Sequence, residues 1–143
     1  MPGLVKLQPM DISSFDDLLR AARQQRDPQR LLFVFAGASL PADATAEQRA
    51  RFEAGESGEL APLMCVDKDP LALPDFQALL TEAATLGPPW VLDFAAALAG
   101  QQGQPPTAAA VDAALQRMVE SVRSGELDRF VPFDRQGDAV QMG

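Results

Sequence analysis

The chain has no histidine, no tyrosine and a single cysteine, Cys65. Without histidine there is no Ser-His or Cys-His nucleophile pair and no mixed Cys/His zinc site, and one thiol makes neither an internal disulfide nor a redox pair. Long apolar runs are missing too. Nothing approaches the roughly 18 continuous apolar residues of a membrane span, and the N-terminus MPGLVKLQPM has no signal-peptide core, so a cytoplasmic protein is expected. Basic residues are few: 12 Lys and Arg stand against 20 Asp and Glu, a net charge of -8 that repels phosphate backbones and speaks against a nucleic-acid partner. No Lys or Arg falls between Lys68 and Arg117. There is no GxGxxG and no Walker lysine, and Gly55-Glu56-Ser57-Gly58 places an acid where a bound phosphate would sit.

What is present describes an ordinary globular protein, 47% apolar and 22% charged over 143 residues, long enough for one domain with a real core. Residues 1–9, with Pro2 and Pro9, read as a loosely ordered or weakly paired arm, and 10–143 as one α/β domain. Ser13 and Ser14 each precede an Asp by three residues, a capping-box spacing, and Ile12, Phe15, Leu18, Leu19 and Ala22 follow at helical period until Asp27-Pro28. Leu31–Ala36 is an unbroken apolar run, the expected central strand covered on both faces. Thr45 with Gln48 caps a weak helix over 46–54, in which Phe52 is the one large anchor.

Leu60–Val66 is the second strand, with Pro62 pushing its start toward an edge or an irregularity. A helix from Pro74 carries an apolar stripe of Phe76, Leu79, Leu80, Ala83 and Leu86. Trp90–Ala97 is a strand whose faces are Trp90, Leu92, Phe94, Ala96 and Val91, Asp93, Ala95. After a loop over 100–106, Thr107 caps a helix with Val111, Leu115, Met118, Val119 and Val122 on one side, stopped by Gly125. Phe130–Phe133 and Ala139–Met142 close the chain as a hairpin.

Because helices separate the strands, the expected fold is α/β: a mixed, partly parallel sheet of about five strands with helices packed on it. An α+β two-layer sandwich is the alternative if the 46–54 helix is a surface excursion and neighbouring strands pair antiparallel.

Three groups of residues carry candidate chemistry. Asp67 and Asp69 follow an apolar strand, where two carboxylates and a third oxygen donor would hold Mg²⁺ for a hydrolase. Their segment LMCVDKDP, residues 63–70, resembles the first motif of haloacid-dehalogenase-type phosphatases, which implies Asp67 as nucleophile and Asp69 as acid/base. Pro70 and Leu71 depart from that motif, and no later acidic pair follows a strand. Arg20, Arg23 and Arg30, with Arg26 between them, would bind an anion if they met across a concave surface. Cys65, flanked by Met64 and Val66, reads as a buried structural thiol, and Asp93 as a partly exposed or edge-facing acid of its strand.

Taken together, the segments LLFVFAGA, RARFEAGESG, LAPLMCVDKDP, PWVLDFAAALAG, QRMVESV and FVPFDRQGDAVQMG resemble a family of small proteobacterial proteins, over nearly everything after Met10. Some members carry the label "ribonucleotide reductase subunit alpha". That activity requires a thiyl-forming cysteine plus a reducing pair, and in one class a tyrosine relay, whereas this chain has Cys65 alone and no tyrosine. The resemblance implies a bacterial cytosolic protein and supplies no catalytic residue or cofactor. The expected role is therefore non-enzymatic binding, by self-association or as an accessory to another protein, with exposed Phe130, Val131 and Phe133 as a pairing edge. The Mg²⁺ hydrolase and the anion-binding module are the alternatives.

Overall fold

A computed structural model describes residues 4–5, 12–39, 45–53, 59–87 and 89–141. Its organising element is strand β2 (Gln29–Ser39), in which Leu31 through Ala36 are all inaccessible to solvent. The run offers no polar side for water to wet, so both faces must be covered. Alternation sends Leu31, Phe33 and Phe35 into one core and Leu32, Val34 and Ala36 into another. Helices α1 (Phe15–Arg23) and α3 (Phe76–Leu86) close the first core, and α4 (Ala108–Ser124) closes the second. The arrangement is helix, sheet, helix, so the two-layer alternative fails because α4 occupies the face it would leave bare.

Every strand pairing among the described residues is antiparallel, which corrects the expectation of a partly parallel sheet. β2 pairs with β3 (Glu59–Lys68) on one side and β4 (Leu92–Ala99) on the other. β3 and β4 therefore run parallel to each other, joined through α3, but β2 lies between them. The crossover does join parallel strands; they are simply not hydrogen-bonded neighbours. The link from β2 to β3 contains helix α2 (Ala46–Glu53), whose residues 46–50 are exposed, so it is a hairpin connection with a helical excursion. Phe52 and the Gly55–Gly58 segment lie outside the described side chains.

The far edge of β4 is shared end to end. β1 (Leu4–Val5) pairs with Ala97 and Leu98, while β5 (Val131–Phe133) pairs with Asp93, Phe94 and Ala95. Phe130, Val131 and Phe133 are at most 4% exposed, so they form no open pairing edge, contrary to expectation. Phe130 packs in the α4 core and Val131 and Phe133 in the α1/α3 core, and the chain then turns at Asp134–Gly137 and comes back against the start of α1. Ala139 bridges to Phe133 and donates to the Ser13 carbonyl at 2.9 Å, and Gly137 accepts from the Phe15 amide at 2.8 Å. The expected second hairpin arm, 139–142, is reduced to this bridge and a Val140 to Pro132 bond of 2.8 Å, with Met142 outside the described residues. Gly137 has φ 83°, and a Cβ there would stand 2.9 Å from the Phe76 ring, so only glycine fits the turn.

Capping fixes the helix starts. Ser14 accepts from the Asp17 amide while Asp17 reaches back to Ser14, and Thr45 and Gln48 make the same reciprocal pair at α2. α3 is capped by Asp75, one residue after the proline that announced it, and Thr107 caps α4. The stripe of α3 is shorter than expected, since Leu86 is 54% exposed at the last turn. α4 ends at Gly125 in the left-handed region, with Glu126 donating to Ser121 as in a Schellman stop. Trp90 precedes β4 and packs in the α1/α3 core against Phe35, ring centroids 5.0 Å apart, rather than on the Phe94 face.

Candidate functional site

The arginines are divided by where α1 stops. Arg20 lies a turn back on the helix and pairs with Asp17 at 3.1 Å. Arg23, the last helical residue, donates from Nε to the Pro70 carbonyl at 2.8 Å and from Nη2 to the Leu73 carbonyl at 2.7 Å, which docks the loop after β3 onto α1. Arg30 enters β2 and donates from Nε to Asp67 Oδ2 at 2.6 Å. Arg26, in the turn between α1 and β2, makes no ion pair among the described residues.

Arg23, Arg26 and Arg30 line one cavity of about 420 Å³, together with Gln29, Asp69 and Leu71. Arg20 instead lines a neighbouring cavity of about 360 Å³, which it shares with Arg23. The expected trio is thus corrected: Arg26 takes the place of Arg20, because the chain curls back after Arg23 and the helix does not continue. Gln29 is 6% exposed; its Nε2 donates to the Asp27 carbonyl at 2.9 Å, while its buried Oε1 has no donor among the described residues. The opposite orientation would set Oε1 against that carbonyl, which fixes the amide.

Pro105 completes the rim. It follows a tight reversal at Gln101–Gln104, where Gln102 and Gly103 have φ 52° and 78°, the signature of a type I′ turn. This turn is held to the same corner by Gly100 donating to Pro28 and by Gly103 donating to Asp27 Oδ1, at 2.8 and 3.2 Å. Arginine clustering was legible in the sequence. The part played by Gln29 and the 100–105 turn was not, since it depends on segments about 70 residues apart.

Asp67 and Asp69 do not build a metal site. Asp67 is held by Arg30, and Asp69 Oδ1 accepts from the Leu71 amide at 2.9 Å, a loop-forming bond. Among the described residues no group of three His, Cys, Asp or Glu side chains gathers where an ion could sit, so the third donor of the hydrolase arrangement is lacking. Lys68 between them pairs with Glu82 of α3.

Cys65 is exposed, not buried. β3 is an edge strand, and the apolar neighbours that suggested burial, Met64 and Val66, face the α1/α3 core while Cys65 faces the opposite way. It lines a groove between β3 and α4 of about 450 Å³ with Asp112, Leu115, Gln116, Val119 and Glu120. Partial burial and the carboxylates of Asp67 and Asp112 push its thiol pKa up, away from nucleophilic reactivity.

Asp93 is fully buried, against the expectation of a partly exposed or edge-facing acid. β4 has partners on both sides, and its Asp93 face points into the α1/α3 core. Neither carboxyl oxygen has a donor among the described residues, and burial raises its pKa well above the ordinary value of 3.8. A group so enclosed cannot exchange a proton with a substrate in this conformation.

Compared with known proteins, the chain matches no protein-family model, no curated protein and no solved structure. No helix of the described residues is long and apolar enough to cross a membrane.

Proposed function

We propose that this chain is a non-enzymatic binding protein whose ligand is a small organic anion held in the cavity of Arg23, Arg26 and Arg30. The observation that carries this reading is that three arginines, from the end of α1, the following turn and the start of β2, line one cavity. Arg30 is already balanced by Asp67 and Arg23 is spent partly on carbonyls, so Arg26 is the principal donor to the ligand. Pro28, Pro70, Leu71 and Pro105 supply apolar wall, which suits a carboxylate or phosphate on a carbon body. Gln29 Oε1 offers an acceptor for a ligand N–H or O–H. The wall also brings two carboxylates, Asp27, which accepts from the Gly103 amide, and Asp69, which accepts from the Leu71 amide, and no nucleophile among the described residues.

Calorimetric and amide-shift titrations with inorganic phosphate and with succinate test the proposal. Saturable binding with shifts confined to residues 22–30, 69–71 and 100–105 is expected. Arg26→Ala should weaken it about tenfold or more, the scale of one lost charge-assisted hydrogen bond. Arg129→Ala, remote from this cavity, should leave it unchanged. Equal binding by wild type and Arg26→Ala, or no saturable binding of either probe, would refute it.

A further inference from the structure

We infer that the open edge of β3, with the groove between β3 and α4, receives an extended basic segment of another protein as an added strand. This surface is separate from the arginine cavity and does not depend on it. β3 pairs only with β2, and its outer row of amides and carbonyls has no strand partner among the described residues. Its two halves differ. Pro62 lacks an amide hydrogen, and the register slips between Phe35/Met64 and Ala36/Pro62, leaving Leu63 as a bulged residue. From Met64 to Lys68 the pairing with β2 is regular, and this is where a further strand can form an unbroken ladder.

The groove beside that stretch says what the strand should carry. Its floor is apolar, with Leu115 buried and Val119 half-buried, and its rim is acidic, with Asp112 and Glu120 exposed. Among the described residues no basic side chain lines it. Glu120 is balanced by Arg123 one turn on, whereas Asp112 makes no ion pair among the described residues. An incoming strand lays alternate side chains on this face. An apolar residue over Leu115 and Val119, flanked by lysine or arginine toward Asp112, meets both demands. A second copy of the chain fits poorly. Two β3 edges joined about a two-fold axis perpendicular to the sheet would set both α4 helices on one face, acidic rim against acidic rim. The raised pKa of the Cys65 thiol, caused after burial by Asp67 and Asp112, reports the same negative field inside the groove.

The test uses a short blocked peptide of sequence Lys-Ser-Val-Ser-Lys, which sets valine and both lysines on one face of a strand, and its glutamate-for-lysine counterpart, on the full chain. The basic peptide should slow amide exchange at Met64–Lys68 and slow iodoacetamide labelling of Cys65, while the acidic peptide does neither. Asp112→Lys combined with Glu120→Lys, both at exposed positions, should cut the basic peptide's affinity at least tenfold. Three results would overturn the inference: protection by both peptides alike, binding that leaves the β3 amides unprotected, or protection that grows with protein concentration in the absence of peptide, which would assign the edge to a second copy.

Discussion

Placing a carboxyl group between Phe35 and Phe133 with no hydrogen-bond donor among the described residues is tolerable only if the group is neutral, because the ionised form would lose its hydration without compensation. Burial accordingly raises the Asp93 pKa above its value in the unfolded chain. The sign of the pH dependence follows. Below the unfolded value both states are protonated and Asp93 is indifferent to pH. Above it the unfolded chain ionises first, so stability falls as pH rises, until the folded-state pKa is reached. The slope cannot exceed roughly 1.4 kcal/mol per pH unit for one group. Asp93→Asn keeps the shape and removes the titration. The stability difference between the variant and wild type, measured by urea denaturation between pH 4 and 8, should therefore grow with pH in favour of Asn. A pH-independent difference would mean that Asp93 has a partner in solution. The sequence showed an acid within an apolar strand but not its surroundings, since β5 and α1, which enclose it, arrive from 40 residues downstream and 70 upstream.

At the scale of elements, two identical devices sit in opposite surroundings. Both α1 and α2 begin with a capping box, but α1 buries Phe15, Leu18, Leu19 and Ala22, whereas residues 46–50 of α2 are exposed. Loss of the hydroxyl from Ser14 should cost about 1 kcal/mol of global stability, since α1 is part of the core. The equivalent Thr45→Ala should change global stability by less than about 0.5 kcal/mol, because α2 can open alone. Equal effects in chemical denaturation would show that α2 folds with the core. The same contrast explains what was legible. Helix starts are written locally, in Ser14 with Asp17 or Thr107 before an apolar stripe, and they were read correctly. Strand faces are local too, and Leu31–Ala36 announced cover on both sides. Strand neighbours are not local. Nothing in LAPLMCVDK states that β2 will lie between it and β4, and an intervening helix alone points to parallel pairing. Of the candidate site, the arginines were visible as a cluster, but which of them share a cavity depends on where α1 ends and on the docking of Asp69–Leu71 and Pro105.

For the whole molecule, the decisive feature is that two cores share one sheet. Leu18 on α1 belongs to the core built on Leu31, Phe33 and Phe35, and Val122 on α4 to the core built on Leu32, Val34 and Ala36. Helices on opposite faces of a sheet are roughly 20 Å apart, too far for their side chains to couple directly. Yet neither layer can detach without exposing a face of β2 and β4 whose residues are wholly apolar, apart from Asp93, over Leu31–Ala36 and Asp93–Leu98. Leu18→Val and Val122→Ala should each cost about 1–3 kcal/mol by removing buried methyl or methylene groups. Combined, the two losses should add within about 0.5 kcal/mol, and calorimetry should still record a single transition in all three variants. Two separable transitions in the Val122→Ala protein would show that the α4 layer melts independently, and that β2 is the boundary of two folding units, not the spine of one.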